Sequence, residues 1–180
     1  MRNLIRLFAL LTFVICFCPF FQTCSDSQIL RKQPEGIVDS TSSPEVLKRI
    51  NDSLKIANQM NRKLELENGR KDSTLNAYQI GFTGFKEFEF RYFKDSFFYV
   101  SLSFAFIIFL SLGILYLAFK ENYRFIFRIS VFNLILLFSS ILIIIIGDFI
   151  DDFNQIRYGY YLLALNIFAL ILVSRKLVKT

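Results

Sequence analysis

Histidine and tryptophan are absent from this 180-residue sequence, and cysteine (3), proline (3) and glycine (7) are scarce. Without histidine, a Ser-His-Asp triad, an HExxH zinc site and any histidine-ligated metal are excluded on residue type. The glycines fall in neither a GxGxxG nor a GxxxxGK arrangement, so no phosphate-cradling loop is expected. No catalytic residue, cofactor or metal is assigned from the sequence.

The cysteines allow little chemistry. Cys18 and Cys24 flank Pro19 in the stretch FCPFFQTCS (17–25), too far apart for a Cys-x-x-Cys motif, and Cys16 lies within an apolar run. None follows the small residues that bacterial lipid attachment requires. An odd number leaves one thiol over whatever bonds form. Pro19 lacks an N–H and stops or kinks a helix, so this stretch reads as a membrane exit.

Charge is missing over long stretches. Residues 97–119, 129–147 and 158–174 contain no Asp, Glu, Lys or Arg. A helix crosses the hydrocarbon with about 20 apolar residues, within a range of about 17–25, and all three runs qualify. An earlier run, Leu7–Phe21, would be only about 22 Å long as a helix, short for a span. It has the basic start and apolar stretch of a signal peptide but no good cleavage site, which favours an uncleaved anchor over a cleaved signal.

The net charge of +6 is distributed by segment. Arg2 and Arg6, then Lys120, Arg124 and Arg128, then Arg175, Lys176 and Lys179 face only Glu121. The 148–157 link instead carries Asp148, Asp151 and Asp152 against Arg157. Basic residues in alternate short segments are the positive-inside pattern. It predicts cytoplasmic termini, an extracytoplasmic stretch over 25–96, and insertion in a bacterial inner (plasma) membrane. Nucleic acid is excluded as a partner, and the lipid bilayer is the expected one.

Within that outer stretch, 25–43 is rich in Ser and reads as a flexible linker. Ser43-Pro44-Glu45 is a helix start and Gly69 a stop, predicting a helix over 44–69. Along it Leu47, Ile50, Leu54, Ala57, Asn61 and Leu64 recur at spacings of 3, 4, 3, 4 and 3, a heptad seam with Asn61 at an a position. That seam could join a second copy or a membrane-protein partner, or pack locally. Residues 70–96 are aromatic, and YQIGFTGFKEFEFRYFKD (78–95) reads as an interfacial segment.

No ionisable residue lies deep in a run, which leaves two amides, Asn133 and Asn166. They sit within about one turn of the same depth on antiparallel neighbours, so an amide–amide hydrogen bond between them is expected, with a substrate contact as the alternative. Ser101, Ser103, Ser111, Gly113, Ser139 and Ser140 are candidates for close helix contacts.

The expected fold is thus an all-α integral membrane protein: a first span or anchor (1–24), the linker, the outer helix, the aromatic segment and three spans (97–180). The expected role is that of a non-enzymatic accessory or interaction subunit. An oligomeric pore or small transporter is the alternative, and a membrane thiol oxidoreductase resting on Cys18 and Cys24 comes last.

Overall fold

The computed structural model describes residues 2–31, 44–85 and 96–179; the side chains of 31, 44–58 and 179 lie outside that description. Its elements are α1 (Arg2–Cys16), β1 (Pro19–Gln22), α2 (Asp26–Arg31), α3 (Pro44–Ser73), β2 (Thr74–Asn76), α4 (Ala77–Thr83), α5 (Ser96–Phe119), α6 (Tyr123–Ile146) and α7 (Tyr158–Lys179). A short 3-10 turn, Phe153–Gln155, precedes α7. The chain divides into one unit of Met1–Thr23 with Leu75–Thr180, and a second of Cys24–Thr74.

In the first unit α5, α6 and α7 are long and apolar enough to cross a membrane. Helix α5 adds Ser96 to the first uncharged run, α6 starts six residues ahead of the second and stops one short of its end, and α7 continues five residues past the third. At about 1.5 Å per residue, helices of 24 residues reach about 36 Å, more than the roughly 30 Å hydrocarbon thickness. Helix α1 packs on α5 and α7, and α6 packs on the same two, so the four helices close a ring.

Their outer face is apolar, unlike that of a water-soluble bundle, and small polar residues share the interior with buried aliphatic ones. Ser103, Ser111, Ser130, Asn133, Ser140, Asn166, Ser174 and Thr12 point inward. Phe106, Phe109, Phe132, Phe138, Leu165 and Phe168 face outward. The outer face of α1 follows suit with Leu7, Leu10 and Val14, as does Phe17 just after it. Small inward residues let helix backbones approach, and large apolar outward residues suit a hydrocarbon solvent.

One end of the ring is closed by extended chain. Pro19 ends α1, and β1 pairs with β2 and bridges antiparallel to the loop before α7 at Phe21–Ile156. Arg157 N donates to Phe20 O (2.8 Å), Gln155 Nε2 donates to Gln22 O (3.0 Å), and the Arg157 guanidinium donates to Gln22 Oε1. Gln155 Oε1 also accepts from the N–H groups of Asp151 and Asp152. Helix α4 opens with a reciprocal cap between Asn76 and Gln79 and is pinned to α5 by Ser101, whose hydroxyl donates to Ile80 O.

Gly159 makes the closure sterically possible: a Cβ there would lie 2.5 Å from Pro19 O and 2.9 Å from the Phe20 ring. Gly159→Ala is expected to lower stability by about 1–3 kcal/mol, because the nearest obstacle is backbone that cannot swing away. Gly113→Ala, where no atom lies within 4 Å of the added Cβ, should be neutral or slightly stabilising by helix propensity. Thermal unfolding of both variants in the same detergent checks the contrast.

In the second unit α2 packs on α3. This corrects two expectations. Residues 26–31 form a helix rather than linker, and α3 passes through Gly69 to Ser73. A Cβ at Gly69 would lie 2.4 Å from Ile29 Cγ2, so the glycine serves close helix approach instead of a stop. Arg70 pairs with Asp26 beside it (2.5 Å), and that hydrogen bond raises the guanidinium above the ordinary arginine value. Residues 32–43 of the expected linker and 86–95 of the expected interfacial segment lie outside the described residues.

Candidate functional site: a polar layer inside the helix ring

The buried apolar side chains of the ring form two separate clusters. One holds Ile15, Phe20, Phe104, Ile107, Leu137, Leu163 and Ile167, near the closed end. The other holds Ile5, Ala9, Ile114, Ala118, Ile126 and Leu170. Between them every helix contributes a polar residue. Thr12 falls between Ala9 and Ile15, Ser111 between Ile107 and Ile114, Ser130 and Asn133 between Ile126 and Leu137, and Asn166 between Leu163 and Leu170. The spacing along each helix is 3 or 4, so these side chains share the inward stripe.

Part of this layer is internally satisfied. Thr12 Oγ1 donates to Phe8 O (3.0 Å) and Ser111 Oγ donates to Ile107 O (2.7 Å), the usual way a hydroxyl is hidden in a helix. Asn166 Nδ2 reaches across to α1, donating to Phe8 O (3.0 Å) and to Thr12 Oγ1 (2.9 Å). This second bond occupies the threonine oxygen from the acceptor side, so a single amide clasps α7 to α1.

The remainder is not satisfied. Both side-chain atoms of Asn133, the hydroxyl of Ser130 and Oδ1 of Asn166 are buried with no hydrogen-bond partner among the described residues. Asn133 is 0% exposed. The expected Asn133–Asn166 bond is therefore not formed. Helix α1 inserts its own acceptors beside Asn166 and takes the amide that α6 was expected to receive. Each orphaned atom costs about 1–3 kcal/mol of desolvation.

The other sequence candidates fall elsewhere. Leu47, Ile50, Leu54 and Ala57 lie on α3 with side chains outside the described set, while Asn61 and Leu64 are exposed on the same helix. Ser101, Ser103 and Ser140 are buried at helix contacts, Ser139 is half-buried, and Gly113 meets no neighbour within 4 Å and so marks no close crossing. Cys16 is buried, Cys18 and Cys24 are half-buried, and no disulfide joins them. Among the described residues no group of three His, Cys, Asp or Glu side chains could hold a metal ion. Thr12 and Ser130 were missed from sequence. Ser130 lies three residues before Asn133 on the same stripe, and that spacing was the available signal.

At the opposite end from the β1 closure lie the start of α1, the end of α5, the start of α6 and the end of α7. Glu121 sits in the tight α5–α6 turn with φ of 58° and receives Arg2 and Arg6, each at 3.3 Å. Lys120, Arg124, Arg128 and Arg175 are exposed there and make no ion pair among the described residues. No protein-family model, no curated protein and no solved structure matches this chain.

Proposed function

We propose that this protein is a non-enzymatic accessory subunit of a membrane, crossing it four times and associating with a partner or a second copy through α3. In this reading α1 is the fourth crossing. Its outward face is apolar, and Asn166 ties its middle to α7. A helix of 15 residues reaches only about 22 Å, and β1 with the closing loop extends the buried path. The basic end lies in the cytoplasm by the positive-inside rule, which puts residues 25–96 on the outer side of a bacterial inner membrane.

The observation that carries the association is Leu64. It occupies a d position of the heptad seam and is 58% exposed on a helix of 30 residues. Asn61, at the preceding a position, is exposed as well. A leucine and an asparagine at these positions in solvent are what a helical partner would cover. Asn61→Leu should strengthen association or change its stoichiometry, because the polar a residue that limits the seam is removed. Native mass spectrometry and cysteine crosslinking along 61–68 in gently extracted membranes read the result. Unchanged crosslinking would remove the reason for the proposal.

A second reading, a small transport or pore-forming protein, has one observation in its favour. Ser130, Asn133 and Asn166 put unpartnered polar atoms in mid-bundle, where ionisable or polar groups commonly mark solute paths. Conductance or solute flux in reconstituted vesicles, measured for the native chain and Asn133→Leu, distinguishes it.

A further inference from the structure

We propose that the corner between α5 and α6 binds the headgroup of an anionic phospholipid, through Lys120, Arg124 and Arg128. The single acidic residue of the turn, Glu121, is shared by Arg2 and Arg6, and Arg6 Nε also reaches Ala118 O (3.5 Å). That carboxylate leaves nothing to neutralise the neighbouring cations. Lys120, Arg124 and Arg128 are exposed and without an ion pair among the described residues, and Arg124 and Arg128 are one helical turn apart on α6.

Depth decides which anion fits. Lys120 Nζ stands 4.7 Å over the Tyr116 ring, and the Arg128 guanidinium stands 5.8 Å over the Phe125 ring. Tyr116 and Phe125 are themselves exposed on the outward, apolar face of the ring. The cations are thus held beside rings that face acyl chains, at the level where aromatic side chains meet the headgroups. A phosphodiester with attached chains can use both surfaces at once. A dissolved phosphate can use only the charges. Among the described residues the other end of the ring offers no equivalent, since Asp148, Asp151 and Asp152 lie there and the guanidinium of Arg157 is taken by Gln22. The proposal needs the bilayer but not the partner role of α3, so it stands or falls separately from it.

The test is lipid retention. The full chain is reconstituted in nanodiscs of equal phosphatidylglycerol and phosphatidylcholine, and the lipids kept on release are counted by native mass spectrometry. Near a membrane surface each basic side chain contributes enough to change affinity for anionic lipid about fivefold. Phosphatidylglycerol should be enriched on the native chain by about that factor or more. Lys120→Gln/Arg124→Gln/Arg128→Gln should bring the ratio near one, whereas Lys63→Gln in α3 should leave it unchanged. If the triple variant does not insert, the single variants Arg124→Gln and Arg128→Gln carry the test, each expected to lower enrichment several-fold. The charge-preserving Arg124→Lys/Arg128→Lys should retain it. Equal enrichment in the native chain and the Gln variants would overturn the site. Full competition by soluble glycerol phosphate would also overturn it, because the site would then read a free phosphate.

Discussion

Truncating Phe104 to alanine is expected to lower the stability of the helix ring by about 3–5 kcal/mol, the range for deleting a buried aromatic side chain. Phe104 is 0% exposed and lies on α5 where the helix meets β1. Its ring stands edge-on to Phe20 at 5.6 Å and to Phe21 at 5.8 Å. Edge-to-face pairs add about 0.5–1.5 kcal/mol beyond area burial. Alanine removes both pairs together and opens a void lined by Phe20, Phe21 and Ile107. The neighbours are poorly placed to close it, because β1 is held on its other side by Arg157 N and Gln155.

Phe104→Leu should recover a large part of the loss by refilling the volume. Phe109→Ala, at a position 70% exposed on the same helix, should have little effect, since lipid can fill the space it leaves. Reversible unfolding in bicelles, followed by helicity and by an intramolecular distance probe, reads all three. Equal effects at 104 and 109 would mean that β1 does not cover α5 in the way described.

The second large effect is a difference in sign. Asn133→Leu is expected to raise stability by about 1–3 kcal/mol, whereas Asn166→Leu lowers it by about 1–2 kcal/mol. At 133 both polar atoms are buried without partners, so leucine of the same branching removes a desolvation cost and adds apolar contact. At 166 the substitution deletes two hydrogen bonds to α1, at 3.0 and 2.9 Å, and frees the middle of that helix. A distance probe between α1 and α7 should broaden in Asn166→Leu and stay sharp in Asn133→Leu. If both variants lose stability equally, the two amides are bonded in a way the geometry does not contain. A stabilised Asn133→Leu that loses solute flux would move weight to the transport reading, since stability given up in the interior is the usual mark of a working group.

Gly69 and Gly159 illustrate how far a local signal reaches. Both are glycines near a helix end, and the local rule expects a stop at the first. The chain continues through it because Ile29 must approach the α3 backbone, and the other sits at the start of α7 because Pro19 and Phe20 must approach it there. Those contacts join residues 40 and 140 positions apart, beyond any window of local propensity. Strand β1 has no local signal for the same reason, since its four residues are paired with β2 and, at Phe21, with Ile156.

What the sequence determined by itself was the set of membrane-length helices and the collection of basic residues beside them. Hydrocarbon tolerates neither charge nor unpaired backbone, so about twenty consecutive uncharged residues leave the chain little choice but helix. The tertiary structure decided the inward stripe and its hydrogen bonds. Both asparagines look alike along the chain, and only the rotation and depth of α1 against α7 give Asn166 its acceptors, 154 and 158 residues away. Those two variables are set by packing small side chains among four helices, where a shift of one turn exchanges one set of neighbours for another. The same packing leaves Asn133 enclosed without a partner.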